Sequence, residues 1–169
     1  MALMGWLDGK TAQLVGESPA IAAALAGQGA TLVREGNCDV LVHVAVPTLA
    51  RPAHELSHAE WRAALDIGVD QRFLLARAFA AMCRAERRGG AIVYVGAPEQ
   101  ALGSDHAAAA GALGNLTKTL GVEWARDGIR VNTVLTREAG ETLGNIVAYL
   151  ASDYAAYVTG AVMGVGLDD

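Results

Sequence analysis

Short apolar runs alternate along the chain with stretches of helical periodicity. Thr11 to Val15 is apolar-rich and ends at Gly16, and Ser18-Pro19 follows as an N-cap with proline in the first helical turn. The pattern predicts a strand, a turn and a helix over 20–28 closed at Gly29, then a strand over 30–34 and a turn at Glu35-Gly36-Asn37. From Asp39 to Val46 the residues are apolar apart from His43 once past the first position, as in a strand covered on both faces. Ser57-x-x-Glu60 reads as a capping box opening a long helix over 58–86, in which Trp61, Leu65, Val69, Phe73 and Ala76 fall at helical spacing.

After Gly89-Gly90 the rhythm repeats. A strand over 91–95 leads to a very alanine-rich helix over 105–126, stopped by Gly128, and then to a strand over 129–135. A helix over 141–151 and a last strand over 161–165 complete the series. Strands alternating with helices predict one α/β domain over 1–169, a doubly wound Rossmann-like parallel sheet of six strands. Right-handed crossovers would place helices on both of its faces.

Composition narrows this picture. Of 169 residues, 53% are hydrophobic and 18% charged, which excludes intrinsic disorder and suggests apolar surface hidden in the fold or between subunits. A net charge of -5 argues against a nucleic-acid partner. The one basic cluster, Arg84, Arg87 and Arg88, reads as the cation-rich end of a helix. No apolar run approaches the ~20 residues of a membrane-spanning helix, and no basic-then-apolar leader opens the chain, so the expectation is a cytoplasmic protein off the membrane. Cys38 and Cys83 are expected to be buried thiols.

Several stretches, taken in order, resemble the short-chain dehydrogenase/reductase family: Cys38-Asp39-Val40-Leu41-Val42, Glu55-Leu56-Ser57 with Glu60-Trp61, Gly128-Ile129-Arg130-Val131-Asn132-Thr133-Val134, and Tyr149-Leu150-Ala151-Ser152-Asp153 leading to Tyr157-Val158-Thr159-Gly160. The resemblance implies the family's fold with two blocks shortened. One is the helix and strand that normally flank the adenine pocket, replaced by Glu35 to Cys38. The other is the segment after Leu135 that usually covers the substrate.

The resemblance also implies where chemistry should sit. The family's glycine-rich turn corresponds to Val15-Gly16-Glu17-Ser18-Pro19-Ala20-Ile21-Ala22, which keeps only the first glycine. Pro19 removes an N–H donor, and Glu17 sets a carboxylate where phosphate would lie. The family's asparagine falls on Gly68, its serine on Gly96 or Ala97, and its Tyr-x-x-x-Lys pair on His106 and Ala110; no Tyr-x-x-x-Lys occurs anywhere in the chain.

His106 has the acid–base chemistry of an imidazole but is expected to be a cap or surface residue. His43 is expected to be buried and hydrogen-bonded. His54 and His58 lack partners at metal spacing, Ser104-Asp105-His106 is not a triad, and Asp168 and Asp169 are expected to be solvated.

These readings lead to the expectation of a catalytically degenerate member: no catalytic, cofactor or metal residues, and a non-catalytic structural or regulatory subunit. It would assemble with an active paralogue in a heterodimer or heterotetramer, or with itself. Some heteromeric family members, including alcohol dehydrogenases acting on hydroxyacyl-CoA intermediates of aromatic degradation, pair an active subunit with an inactive relative.

The interface expected runs along the 58–86 helix, the small-sided face of Ala107 to Gly114 and the last strand, with Phe73, Phe79 and Trp124 as anchors. Two other readings are a divergent NAD(P)-dependent oxidoreductase using His106, and a module binding CoA or acyl groups in the shortened cleft.

Overall fold

The computed structural model describes residues 5–45, 50–98, 103–137 and 139–166. Six strands form one sheet: β1 (Thr11–Val15), β2 (Thr31–Val33), β3 (Val40–Val44), β4 (Gly90–Gly96), β5 (Ile129–Thr136) and β6 (Val162–Val165). Their order is β2-β1-β3-β4-β5-β6, and every neighbouring pair is parallel. The expected doubly wound sheet is therefore the observed one, with helices on both faces.

The strands sort their side chains by the two-residue period of extended backbone. Val40, Val42, Val93 and Val95 join one core with Ile21 and Leu25 of α1 (Pro19–Gly27) and Val147 and Leu150 of α5 (Glu141–Ala151). Leu41, Ile92 and Tyr94 face the opposite core, with Ala76 and Phe79 of α3 (Gln71–Ala85) and Leu113 and Leu120 of α4 (Ser104–Glu123). Apolar residues occupy both phases of the central strands because both faces are covered.

Close contacts between elements depend on absent side chains. A Cβ on Gly144 of α5 would lie 2.6 Å from the Ala20 carbonyl oxygen and 2.9 Å from the Ala24 Cβ, so glycine lets α5 pack directly on α1. The predicted N-cap at Ser18 accepts the Ile21 N–H, and the capping box of Ser57 and Glu60 is complete in both directions.

The stretch expected as one helix over 58–86 is interrupted. It comprises α2 (His58–Leu65), a π-helical turn over Asp66–Asp70, and α3. A π turn adds a residue to the helical ladder and rotates the face that follows. The apolar series read from spacing is divided between core and surface: Ala76 is fully buried, whereas Trp61 is 36% and Phe73 39% exposed, and Arg72 beside Phe73 is 2% exposed.

Two arginines of the basic cluster at the end of α3, Arg84 and Arg88, are tied to carboxylates and carbonyls. Arg84 Nε donates to Asp127 Oδ2 at 2.8 Å, Arg88 Nη2 donates to the Cys38 carbonyl at 2.8 Å, and Arg88 also pairs with Asp39 and Glu86. Cys38 and Cys83 are buried free thiols, and burial raises the pKa of each.

Candidate active-site cleft

All six strands end at one edge of the sheet, and the strand order reverses between β1 and β3, so that edge carries a topological switch point where open α/β sheets hold ligands. The turn after β1 lies there. Gly16 has φ +88°, and a Cβ would sit 2.3 Å from the Val44 carbonyl oxygen, so only glycine lets the chain leave β1 this close to β3.

Beyond Gly16 the turn serves itself. Ser18 Oγ takes the Ile21 N–H at 3.4 Å, the Ser18 carbonyl takes the Ala22 N–H at 3.0 Å, Pro19 has no N–H, and Glu17 is exposed. Ala20 and Ala22 carry methyl groups where a closely seated pyrophosphate requires bare backbone. These residues do not fit the close pyrophosphate seat that a dinucleotide uses in this class of fold.

The second feature is a cleft across the C-terminal ends of β3, β4 and β5, bounded by the π turn and α4. Gly68, Gly96, Ala97, His106 and Ala110 all line it. These are the positions the sequence register assigns to the family's asparagine, serine, tyrosine and lysine, so the structure gathers in one place what the sequence identified only by alignment.

His106 is not simply a surface residue: its side chain is 14% exposed in the first turn of α4, and Nε2 lies 3.9 Å from Oδ2 of the buried Asp105. Sequence reasoning missed Arg72, which lines the same cleft. Its Nη2 donates to the Val95 carbonyl at 2.9 Å, its guanidinium carbon lies 5.7 Å from the centroid of the Tyr94 ring, and Nε has no hydrogen-bond partner. Burial lowers the Arg72 pKa to about 10, still far above neutrality. The one available sequence signal was an arginine beside Phe73 and Leu74, and the π turn hides which way it faces.

His43 is buried as expected, but Nδ1 has no hydrogen-bond partner, which corrects the expectation of a bonded histidine. Burial, and then the positive charge of Arg72, lower its pKa to about 4, so it is neutral at pH 7. His54 is exposed, 3.9 Å from Glu55, and His58 opens α2. Among the described residues no group of three or more His, Cys, Asp or Glu could hold a metal ion. Asp168 and Asp169 lie outside the described residues.

Two expected interface anchors belong to the chain's own core. Phe79 and Trp124 are 5% and 4% exposed, so only Phe73 is available to a partner. Part of the small-residue face of α4 is also used internally, because a Cβ on Gly68 would lie 2.6 Å from the Ala109 Cβ.

A family profile described as Enoyl-(Acyl carrier protein) reductase matches residues 22–140. The chain is 32% identical over 162 residues to a cis-4-hydroxycyclohexanecarboxylate dehydrogenase of Sinomonas cyclohexanicum, with 77% of this chain and 65% of that protein covered. It is 34% identical over 199 residues to the (2S)-[(R)-hydroxy(phenyl)methyl]succinyl-CoA dehydrogenase subunit BbsC of Thauera aromatica, covering 94% of this chain and 78% of that one. Among solved structures, a short-chain type dehydrogenase/reductase from Mycobacterium marinum superposes with a TM-score of 0.86 at 21% identity, over 95% of this chain and 94% of that one.

The chain belongs to the short-chain dehydrogenase/reductase family. It spans just under two thirds of the length of the Sinomonas relative.

These comparisons overturn the expectation of a non-catalytic subunit that is no enzyme by itself. The matched family and the relatives carry the names of reductases and dehydrogenases, and none of them points to a non-catalytic role. The physical reason the expectation failed is that it weighed the missing family residues alone, whereas the cleft they would line is still formed and holds His106 and Arg72. The relative named as a subunit agrees with association among family members. Among the described residues no helix is long and apolar enough to cross a membrane.

Proposed function

We propose that the chain is an oxidoreductase of its family interconverting an alcohol and a carbonyl, and that His106 handles the proton at the substrate oxygen. The observation that carries this reading is the presence of His106 in the same cleft as Gly68, Gly96 and Ala110. Alcohol oxidation removes a proton from oxygen and a hydride from carbon. An imidazole at this edge suits the proton half, and Asp105 lies 3.9 Å from its Nε2. The hydride half belongs to a carrier that the turn after β1 does not seat closely, so nothing is assigned to that turn.

The names of the relatives support a hydroxy acid or hydroxyacyl substrate class. Exposed Trp61, Phe73 and Leu74 along α2 and α3 support association with a second subunit through that face. Two reduced cysteines support a cytoplasmic setting.

The test follows nicotinamide absorbance while the purified chain is mixed with NAD or NADP and a series of secondary alcohols. Turnover is expected, falling about 100-fold or more in His106→Gln. Turnover unchanged in that variant removes His106 from the chemistry. Absence of both turnover and dinucleotide-induced thermal stabilisation sinks the oxidoreductase reading.

A further inference from the structure

Arg72 is a cation enclosed in protein with little to balance it. Its side chain is among the largest that are fully buried, yet among the described residues no carboxylate lies within ion-pair distance. One hydrogen bond, to the Val95 carbonyl, serves a group with five N–H donors. The Tyr94 ring gives weak compensation, and the Tyr94 hydroxyl, which donates to the Arg72 backbone carbonyl at 3.3 Å, leaves the guanidinium unbonded. Proteins rarely bury a charge this way unless it is paired, because desolvating an ion is costly.

The guanidinium borders the cleft. Arg72 Nη1 lies 4.0 Å from the point a Cβ on Gly96 would occupy, and only the Leu135 Cδ2 shares that space, at 3.8 Å. Gly96 has no positive φ and no forbidding contact, so geometry does not require glycine there; its missing side chain leaves nothing of its own between the cleft and Nη1 of the otherwise enclosed guanidinium. Beyond it the lining is apolar apart from His106, with Ala109, Leu113, Leu135 and Ile67.

We propose that the cleft binds a small organic carboxylate, its carboxyl group paired with Arg72 through the gap over Gly96 and its apolar body lying against Ala109, Leu113 and Leu135. A planar guanidinium matches a carboxylate through two parallel N–H···O bonds, which a neutral amide of the same shape cannot reproduce. The proposal deepens the oxidoreductase reading by naming the substrate class of the same cleft, and rests on it only in treating the bound acid as substrate.

The experiment measures benzoate binding by thermal shift and calorimetry on the whole chain with no dinucleotide present, with benzamide as the uncharged control. Benzoate is expected to raise the melting temperature with saturation and benzamide to leave it unchanged. Arg72→Met, close in volume, is expected to weaken benzoate at least 10-fold. Since that variant alters the core, Gly96→Val provides an independent arm: it keeps Arg72, covers the guanidinium and is expected to abolish binding with an unchanged circular dichroism spectrum. No benzoate binding at millimolar concentration, equal response to benzamide, or equal affinity in Gly96→Val overturns the proposal. Because turnover and dinucleotide binding are measured separately, benzoate binding with neither turnover nor dinucleotide-induced stabilisation sinks only the oxidoreductase reading, and turnover without benzoate binding sinks only this one.

Discussion

Tyr94 and Arg72 hold each other at the end of β4: the Tyr94 hydroxyl donates to the Arg72 backbone carbonyl at 3.3 Å, while the Arg72 guanidinium stands 5.7 Å from the Tyr94 ring. Both residues are fully buried, so the pair joins the start of α3 to the floor of the cleft. Burial raises the tyrosine pKa, as expected for a phenol that stays protonated.

Tyr94→Phe is expected to keep the ring and lose the hydroxyl bond. The cost should be about 1 kcal/mol, read as a lower urea midpoint at unchanged slope. A loss above about 3 kcal/mol would show that the hydroxyl does more than this single bond.

Gly144→Ala tests the direct packing of α5 on α1. Alanine favours an isolated helix by about 1 kcal/mol, but its methyl would meet the Ala20 carbonyl at 2.6 Å. Overpacking should win, giving a net loss of about 1–3 kcal/mol by urea unfolding. A stabilised variant would mean that the two helices separate freely.

Asn132 fastens the segment before β6 from within the sheet. It is fully buried, donates through Nδ2 to the Val158 carbonyl at 2.8 Å, and accepts the Ala161 N–H through Oδ1 at 3.1 Å. Asn132→Ala should cost about 2–3 kcal/mol and speed hydrogen exchange in 162–165 more than in β1. Uniform acceleration across both strands would count against a local fastening role.

His43 should make stability depend on pH. Its folded pKa is about 4, against 6.5 for the ordinary side chain. The unfolded chain therefore binds the proton first, and stability falls as pH drops from about 6.5 to about 4. The loss should reach roughly 3 kcal/mol at most, because a shift of one unit corresponds to about 1.4 kcal/mol. His43→Leu should flatten the curve in that window relative to the parent; parallel curves would place His43 in contact with water.

Much of the architecture was legible because it rests on local signals. Glycine and proline punctuation, the Ser57–Glu60 capping box and the doubly apolar runs of β3 and β4 place the elements, and β1 and α5 keep their predicted bounds. The alignment of Gly68, Gly96, Ala97, His106 and Ala110 with one site was legible too, since strand and helix registers carry those positions to one sheet edge. The face presented by α3 was not. Helical spacing extended from Trp61 assumes 3.6 residues per turn throughout, and the π turn over Asp66–Asp70 breaks that count.

The amino-acid sequence by itself therefore determined the order of elements, the parallel sheet and the residues missing from the family's usual set. Only tertiary structure decided what surrounds the place they left. An arginine's chemistry is the same on a surface or in a core; its burial beneath Gly96, away from every described carboxylate, arises from packing between α3, β4 and α4. Contacts between residues distant in sequence are set by the closed shape of the fold, and local patterns carry no record of them.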